Sequence, residues 1–191
     1  MTTPALPDKI PALPDKIIAI DRALDPLPHA FGGALALAYY AEPRATADID
    51  VNVFVPVDEF ERVHTRLAPL GIAAATGQAQ RVRRDGQIRL AWGHNPVDLF
   101  FSYDPFHDAA AGATQRVPFA ATTIPILAAE HLVVCKAVFD RPKDWVDIDA
   151  IRAAGTTLDA AEVIRWVQRI VGDTDPRYER IVGVLARPAP R

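Results

Sequence analysis

The sequence predicts a mixed α/β (α+β) chain in which a strand-bearing core, residues 15–126, precedes an all-helical region, residues 127–191. Three observations carry that expectation. Over Asp48 to Val55 the residues Ile49, Val51, Val53 and Val55 alternate with Asp48, Asp50 and Asn52, the period of two that defines a strand. Gln87 to Trp92 and Val97 to Phe101 read as two further strands, joined by the turn-forming Gly93-His94-Asn95-Pro96. From Leu127 onward the pattern turns helical, over about 127–139, 142–154, 158–171 and 176–186.

Taken in order, the chain opens on a tandem duplication, Pro4 to Ile10 and Pro11 to Ile17. Two copies cannot build a solenoid. Residues 1–14 are expected as a flexible lead-in, with a helix starting at Asp15. Ile17, Ile18, Ile20 and Leu24 give that helix an apolar side, and Pro26 and Pro28 close it. Ala30-Phe31 is short and apolar, Gly32-Gly33 turns the chain, and Ala34 to Tyr40 predicts a helix that stops around Pro43. Asp58 to Leu67 predicts a surface helix that buries Phe60, Val63 and Leu67, whereas residues 71–86 follow no single pattern. Asp104 to Ala113 predicts a helix, and Gln115 to Ile126 one or two short strands. With five or six strands and no hinge-like linker, the helical region is expected to pack on the core rather than to stand apart.

Composition excludes several function classes. The chain has 191 residues, half of them hydrophobic, enough for a real core and against global disorder. No apolar run reaches the roughly 18 residues of a membrane span, and the Pro-, Asp- and Lys-rich N-terminus has no hydrophobic region of a signal peptide. The single cysteine, Cys135, cannot form an internal disulfide and sits in an apolar helical run; this fits a cytoplasmic location. A net charge of −3 rules out a general nucleic-acid coat, so any RNA contact must be a local patch. The densest basic cluster is Arg81, Arg83, Arg84 and Arg89, which reads either as a solvated surface or as a contact for an RNA acceptor. The five histidines show no metal-ligand spacing, Ser102 is the only serine and lacks a nucleophile-elbow context, and neither Gly-x-Gly-x-x-Gly nor a Walker A motif occurs.

One constellation carries chemistry. Asp48 and Asp50 lie two apart on a strand, so both carboxylates project from one face, where like charges repel unless a cation sits between them. Magnesium, one ion or two, is the natural candidate, because it favours carboxylate oxygens and shares its other positions with phosphate and water. Asp98, between Val97 and Leu99, would add a third carboxylate if its strand neighbours the first. Gly32-Gly33 supplies the complement, a turn without side chains that a phosphate can approach and a helix terminus behind it. Taken singly, an Asp-x-Asp pair is ordinarily a solvated face and a Gly-Gly pair ordinarily a turn; only the combination points to phosphoryl transfer.

The stretch Phe31-Gly-Gly through Arg44-Ala-Thr46-Ala-Asp48-Ile-Asp50 resembles the nucleotidyltransferase motif of the AbiEii/AbiGii toxin family, which includes the MenT-type toxins and has the polymerase-beta-like fold. A second stretch, Ala129 to Ile148, is similar to that family's Lys-containing helix and the Arg-x-Lys-Asp-x-x-Asp segment after it, here Arg141, Lys143, Asp144 and Asp147. The resemblance covers about residues 30–155. It implies a nucleotidyltransferase-fold mixed sheet with flanking helices and a C-terminal helical bundle. It also implies that Gly32 and Gly33 line the phosphates of an NTP, with Arg44 and Thr46 beside them, and that Asp48 and Asp50 bind magnesium. Lys136 would contact the triphosphate, and Asp144 or Asp147 would complete the catalytic set. For Lys136 the residues agree: a cation inside the apolar run Leu132 to Val138 needs an anion if it is buried, although a snorkelling surface lysine remains the alternative. Asp144 also has a structural alternative as a helix-start cap. The resemblance implies a toxin that transfers NMP to tRNA and is held by a cognate antitoxin. The alternatives are a small-molecule or protein acceptor, or a catalytically silent interaction module.

Overall fold

The computed structural model describes residues 12–74 and 78–187, so the first copy of the N-terminal repeat lies outside the described residues. The strands are β1 (His29–Phe31), β2 (Ile49–Pro56), β3 (Gln87–Leu90), β4 (Val97–Ser102), β5 (Gln115–Phe119) and β6 (Thr122–Ile126). They form one mixed sheet in the order β3-β4-β2-β1-β6-β5. β2 and β4 are parallel neighbours, and β1 runs antiparallel to β2 but parallel to β6. The two edge strands β3 and β5 close antiparallel hairpins with β4 and β6.

The alternation expected for β2 is realised: Ile49, Val51, Val53 and Val55 are all buried on one face. That face packs on the helices of the first half, α1 (Leu13–Leu24), α3 (Phe60–Leu67) and α4 (Gln78–Asp85), which bury Ile17, Ile20, Leu24, Phe60, Val63, Leu67 and Val82 into the same core. The segment without a sequence pattern resolves into α4 and an isolated bridge between Ala73 and Ala91. Asp48 stands one residue before β2, where Thr46 Oγ1 accepts from its backbone N–H. The helix after Gly32-Gly33 is shorter than expected: α2 spans only Gly33–Leu37.

The second half is helical as expected, in α6 (Ala129–Phe139), α7 (Pro142–Ala153), α8 (Ala160–Val171) and α9 (Pro176–Ala186), preceded by α5 (Pro105–Gly112). Asp-Pro pairs start two of these helices. Asp104 accepts from the Phe106 N–H and Asp175 from the Arg177 N–H, with Pro105 and Pro176 at positions that need no donor. α6 is apolar nearly all round, with Leu132, Val133, Val134 and Ala137 buried together, which makes it the central helix against which α7, α8 and α9 pack. α6 also carries Lys136 into the interior. One continuous core links Ile49 and Leu99 of the sheet to Val134, Val163 and Ile181 of these helices. Among the described residues no helix is long and apolar enough to cross a membrane.

Candidate active site

The second face of β2 is turned toward the helical half. Asp50 and Asn52 line a cavity of about 340 Å³ together with Gly33, Phe100, Leu132, Lys136, Phe139 and Arg141. A more open groove continues from it past Asp50, Arg89, Asp98, Phe100, Phe139 and Arg141.

Register places the carboxylates. Asp50 of β2 stands directly opposite Asp98 of β4, and Asp98 stands directly opposite Arg89 of β3. Directly paired residues share a face, so Asp50, Asp98 and Arg89 form one row across three strands. Asp48, at the end of the same face, joins through Arg89. The guanidinium binds Asp98 in bidentate fashion, Nε to Oδ1 at 2.8 Å and Nη2 to Oδ2 at 2.7 Å, and the same Nη2 lies 3.1 Å from Asp48 Oδ2. Asp50 is left to the cavity. Burial raises its carboxyl pKa above the ordinary carboxylate value, and the charges of Asp98 and Asp48 raise it further, against the pull of Lys136 and Arg141.

Gly33 is fitted to this carboxylate. Its φ is +54°, and a Cβ there would fall 1.8 Å from Asp50 Oδ2, so both the backbone conformation and the contact demand glycine. Gly33→Ala should displace Asp50 and cost about 1–2 kcal/mol of stability from the left-handed backbone alone. A fall in melting temperature would be the expected result, and an unchanged melting temperature would refute the contact's importance. The Gly32 amide donates to the Asp50 carbonyl at 2.9 Å and so ties the turn to β2.

The downstream residues divide into two buried ion-paired units. Lys136 is 4% exposed, which removes the snorkelling alternative, and its Nζ donates to Asp147 Oδ2 at 2.6 Å. Asp147 also receives a bidentate pair from Arg44, both bonds at 2.9 Å. Burial pushes the Asp147 carboxyl upward, but the hydrogen bonds from Arg44 and Lys136 outweigh it and hold the group below the usual carboxylate value. Asp144, fully buried, takes a bidentate pair from Arg141, caps the Arg141 backbone N–H at the start of α7, and lies 4.0 Å from Lys136. Asp144 and Asp147 therefore hold the two cavity cations in place, and Asp147 also engages Arg44. Thr46 is likewise spent on a local turn with Asp48.

The donor set suits a hard divalent cation: three carboxylates on one face, one of which, Asp50, has its pKa raised by burial and by its two like-charged neighbours. The cage is not closed as it stands. Among the described residues no group of three or more His, Cys, Asp or Glu side chains is arranged to hold a metal, and Asp98 and Asp48 are turned onto Arg89. Of the basic patch, Arg83 pairs with Asp58 and Arg84 with Asp85, both on the surface.

Sequence reasoning assigned no site role to Arg141, Phe100 or Phe139, and saw Arg89 only as part of a basic patch. Arg89 was within reach of it, since counting outward from the Gly93-His94 turn pairs Arg89 with Asp98. Phe100 and Phe139 had no such signal: one lies on β4 and the other ends α6, and they meet edge to face at 5.6 Å, with the Arg141 guanidinium 5.0 Å above the Phe139 ring.

The fold has solved counterparts. The antibiotic-resistance factor ANT(2'')-Ia in solution matches with a TM-score of 0.56 over 88% of this chain and 94% of its own, at 18% identity. The crystal structure of ANT(2'')-Ia in complex with adenylyl-2''-tobramycin matches with a TM-score of 0.56 over 91% of this chain and 98% of its own, also at 18% identity. The chain has the nucleotidyltransferase fold. No protein-family model matches the sequence, and a search of curated proteins found no match. Within the nucleotidyltransferase fold, the row of Asp50, Asp98 and Arg89 lies on the sheet face covered by α6, beside the cavity.

Proposed function

We propose that the chain is a magnesium-dependent nucleotidyltransferase that moves a nucleoside monophosphate from an NTP to a hydroxyl acceptor and releases pyrophosphate. The observation that carries this reading is the register of Asp50 against Asp98 beside Gly33, with two fixed cations, Lys136 and Arg141, lining the same cavity. Asp48, Asp50 and Asp98 would hold magnesium, which supplies charge neutralisation at the reacting phosphate and at the leaving oxygen. Gly33 leaves room for the Asp50 carboxylate, which a side chain at that position would displace. Lys136 and Arg141, prevented from wandering by Asp147 and Asp144, stabilise the charge that builds on the departing pyrophosphate. The acceptor oxygen forms a bond to the α-phosphorus as the bond to the β-phosphate oxygen breaks, and Asp98, on the open groove, takes the acceptor's proton.

A different set of observations bears on the acceptor. Arg83 and Arg84 are engaged by Asp58 and Asp85, the net charge is −3, and the cavity at Asp50 is about 340 Å³. These favour a small hydroxyl-bearing molecule, and the neighbour solved with adenylyl-2''-tobramycin agrees in kind. The toxin reading, with tRNA as acceptor and an antitoxin as partner, is supported by the sequence resemblance over about residues 30–155 alone. Labelled NTPs incubated with small polyhydroxylated compounds, total RNA and protein separate the cases by the fraction that becomes labelled. Changing Arg81, Arg83 and Arg84 together to glutamine should leave small-molecule labelling within about twofold. An RNA enzyme would instead lose affinity by tenfold or more, with a shallower salt dependence.

A further inference from the structure

We propose that Arg89 is a tethered counter-cation that holds the Asp48–Asp98 pair in the free protein and yields it only to a metal–nucleotide complex, so that the ligand of this site is the complex and not the free divalent ion. The inference rests on the reading of Asp48, Asp50 and Asp98 as metal ligands given above. Arg89 Nη2 stands between two of these carboxylates, 2.7 Å from Asp98 Oδ2 and 3.1 Å from Asp48 Oδ2, in the position a bridging cation would neutralise. A bare ion must therefore displace a guanidinium that makes three contacts. Asp50, the third acid, faces the cavity that Lys136 and Arg141 also line.

The latch is built to open. β3 is an edge strand, and the Arg89 side chain is 58% exposed, so its pairs are of the exchangeable surface kind and not a fixed buried unit. Lys136, by contrast, is locked into its pair in the interior. Once displaced, Arg89 remains on the wall of the open groove with Arg141, where phosphate oxygens offer the bidentate acceptors that a guanidinium prefers. A nucleotide thus offsets the lost pairs, and a lone ion cannot. By linkage, the nucleotide strengthens metal binding by the same factor as metal strengthens nucleotide binding.

Manganese is the probe, with free ion followed by electron paramagnetic resonance, with and without an α,β-methylene NTP analogue. Arg89→Ala and Arg89→Gln should bind manganese in the absence of nucleotide about tenfold more tightly than the parent, the scale of one bidentate and one single ion pair at an exposed site. Arg89→Lys, which keeps the charge, should stay close to the parent. In the alanine and glutamine variants the gain in manganese affinity on adding nucleotide should shrink by the same factor. Arg89→Gln retains hydrogen-bonding groups on the edge strand and carries the test if the alanine variant unfolds. Equal manganese affinity of parent and variants without nucleotide, with the ternary complex still forming in all, would overturn the latch and leave the carboxylate reading intact. No manganese binding in any variant, with or without nucleotide, would overturn both.

Discussion

Asp50→Asn should reduce NMP transfer by about a thousandfold or more while the protein becomes more stable, not less. The first part follows because Asp50, alone of the three row acids, lines both the cavity and the open groove, and it lies against Gly33. The second follows from its environment. Burial and the charges of Asp98 and Asp48 raise its pKa in the folded state, so the unfolded chain releases this proton at lower pH than the folded one does. Stability attributable to Asp50 is therefore lost as pH rises from the ordinary carboxylate value through the raised one, and it stays lost at neutral pH. Asparagine removes the titration. Thermal melts from pH 4 to pH 8 should show the variant gaining on the parent across that window, with magnesium and NTP stabilising the parent only. A variant that melts lower than the parent at pH 8, or that retains transfer, would refute the assignment.

Asp147→Ala should have the largest effect on stability, about 3–5 kcal/mol, or about 10 °C in melting temperature for a chain of this size. The substitution strips Lys136 of its 2.6 Å partner inside the protein and releases Arg44, leaving Asp144 at 4.0 Å as the nearer remaining anion. Replacing both partners, Lys136→Met with Asp147→Leu, should recover most of that loss, because an apolar pair of similar volume needs no desolvated charge. It should not recover transfer, because Lys136 lines the cavity. Recovery of both would show that Lys136 is structural only. The pH dependence has the opposite sign to that of Asp50. The folded-state pKa of Asp147 is depressed, so its contribution is present above the ordinary carboxylate value and is lost as pH falls through the depressed one.

These contrasting carboxylates show where sequence reasoning reached and where it stopped. Period alone placed Asp48, Asp50 and Asp98 on strand faces, and the apolar run around Lys136 marked that lysine as needing an anion. The anion it meets, however, is Asp147, eleven positions along the chain in the next helix, and no spacing rule distinguishes that partner from a substrate phosphate. The Asp144 cap was legible because capping is local; its bidentate hold on Arg141 also uses an i to i+3 spacing.

What the sequence by itself determined was the set of elements: the β2 alternation, the hairpin around Gly93-His94, the Asp-Pro helix starts and the four C-terminal helices all follow from interactions within a few residues of each other. The tertiary structure alone decided that β2 and β4 are neighbours in a register that opposes Asp50 to Asp98, that α6 caps that face to enclose a cavity, and that Arg89 closes the acid row. Parallel pairing is set by a crossover and by core packing between distant segments, not by a turn, and so leaves no local trace in the chain. Gly33 joins the two levels. Its lack of a side chain could be read from the sequence, but the Asp50 carboxylate that requires it was supplied only by the fold.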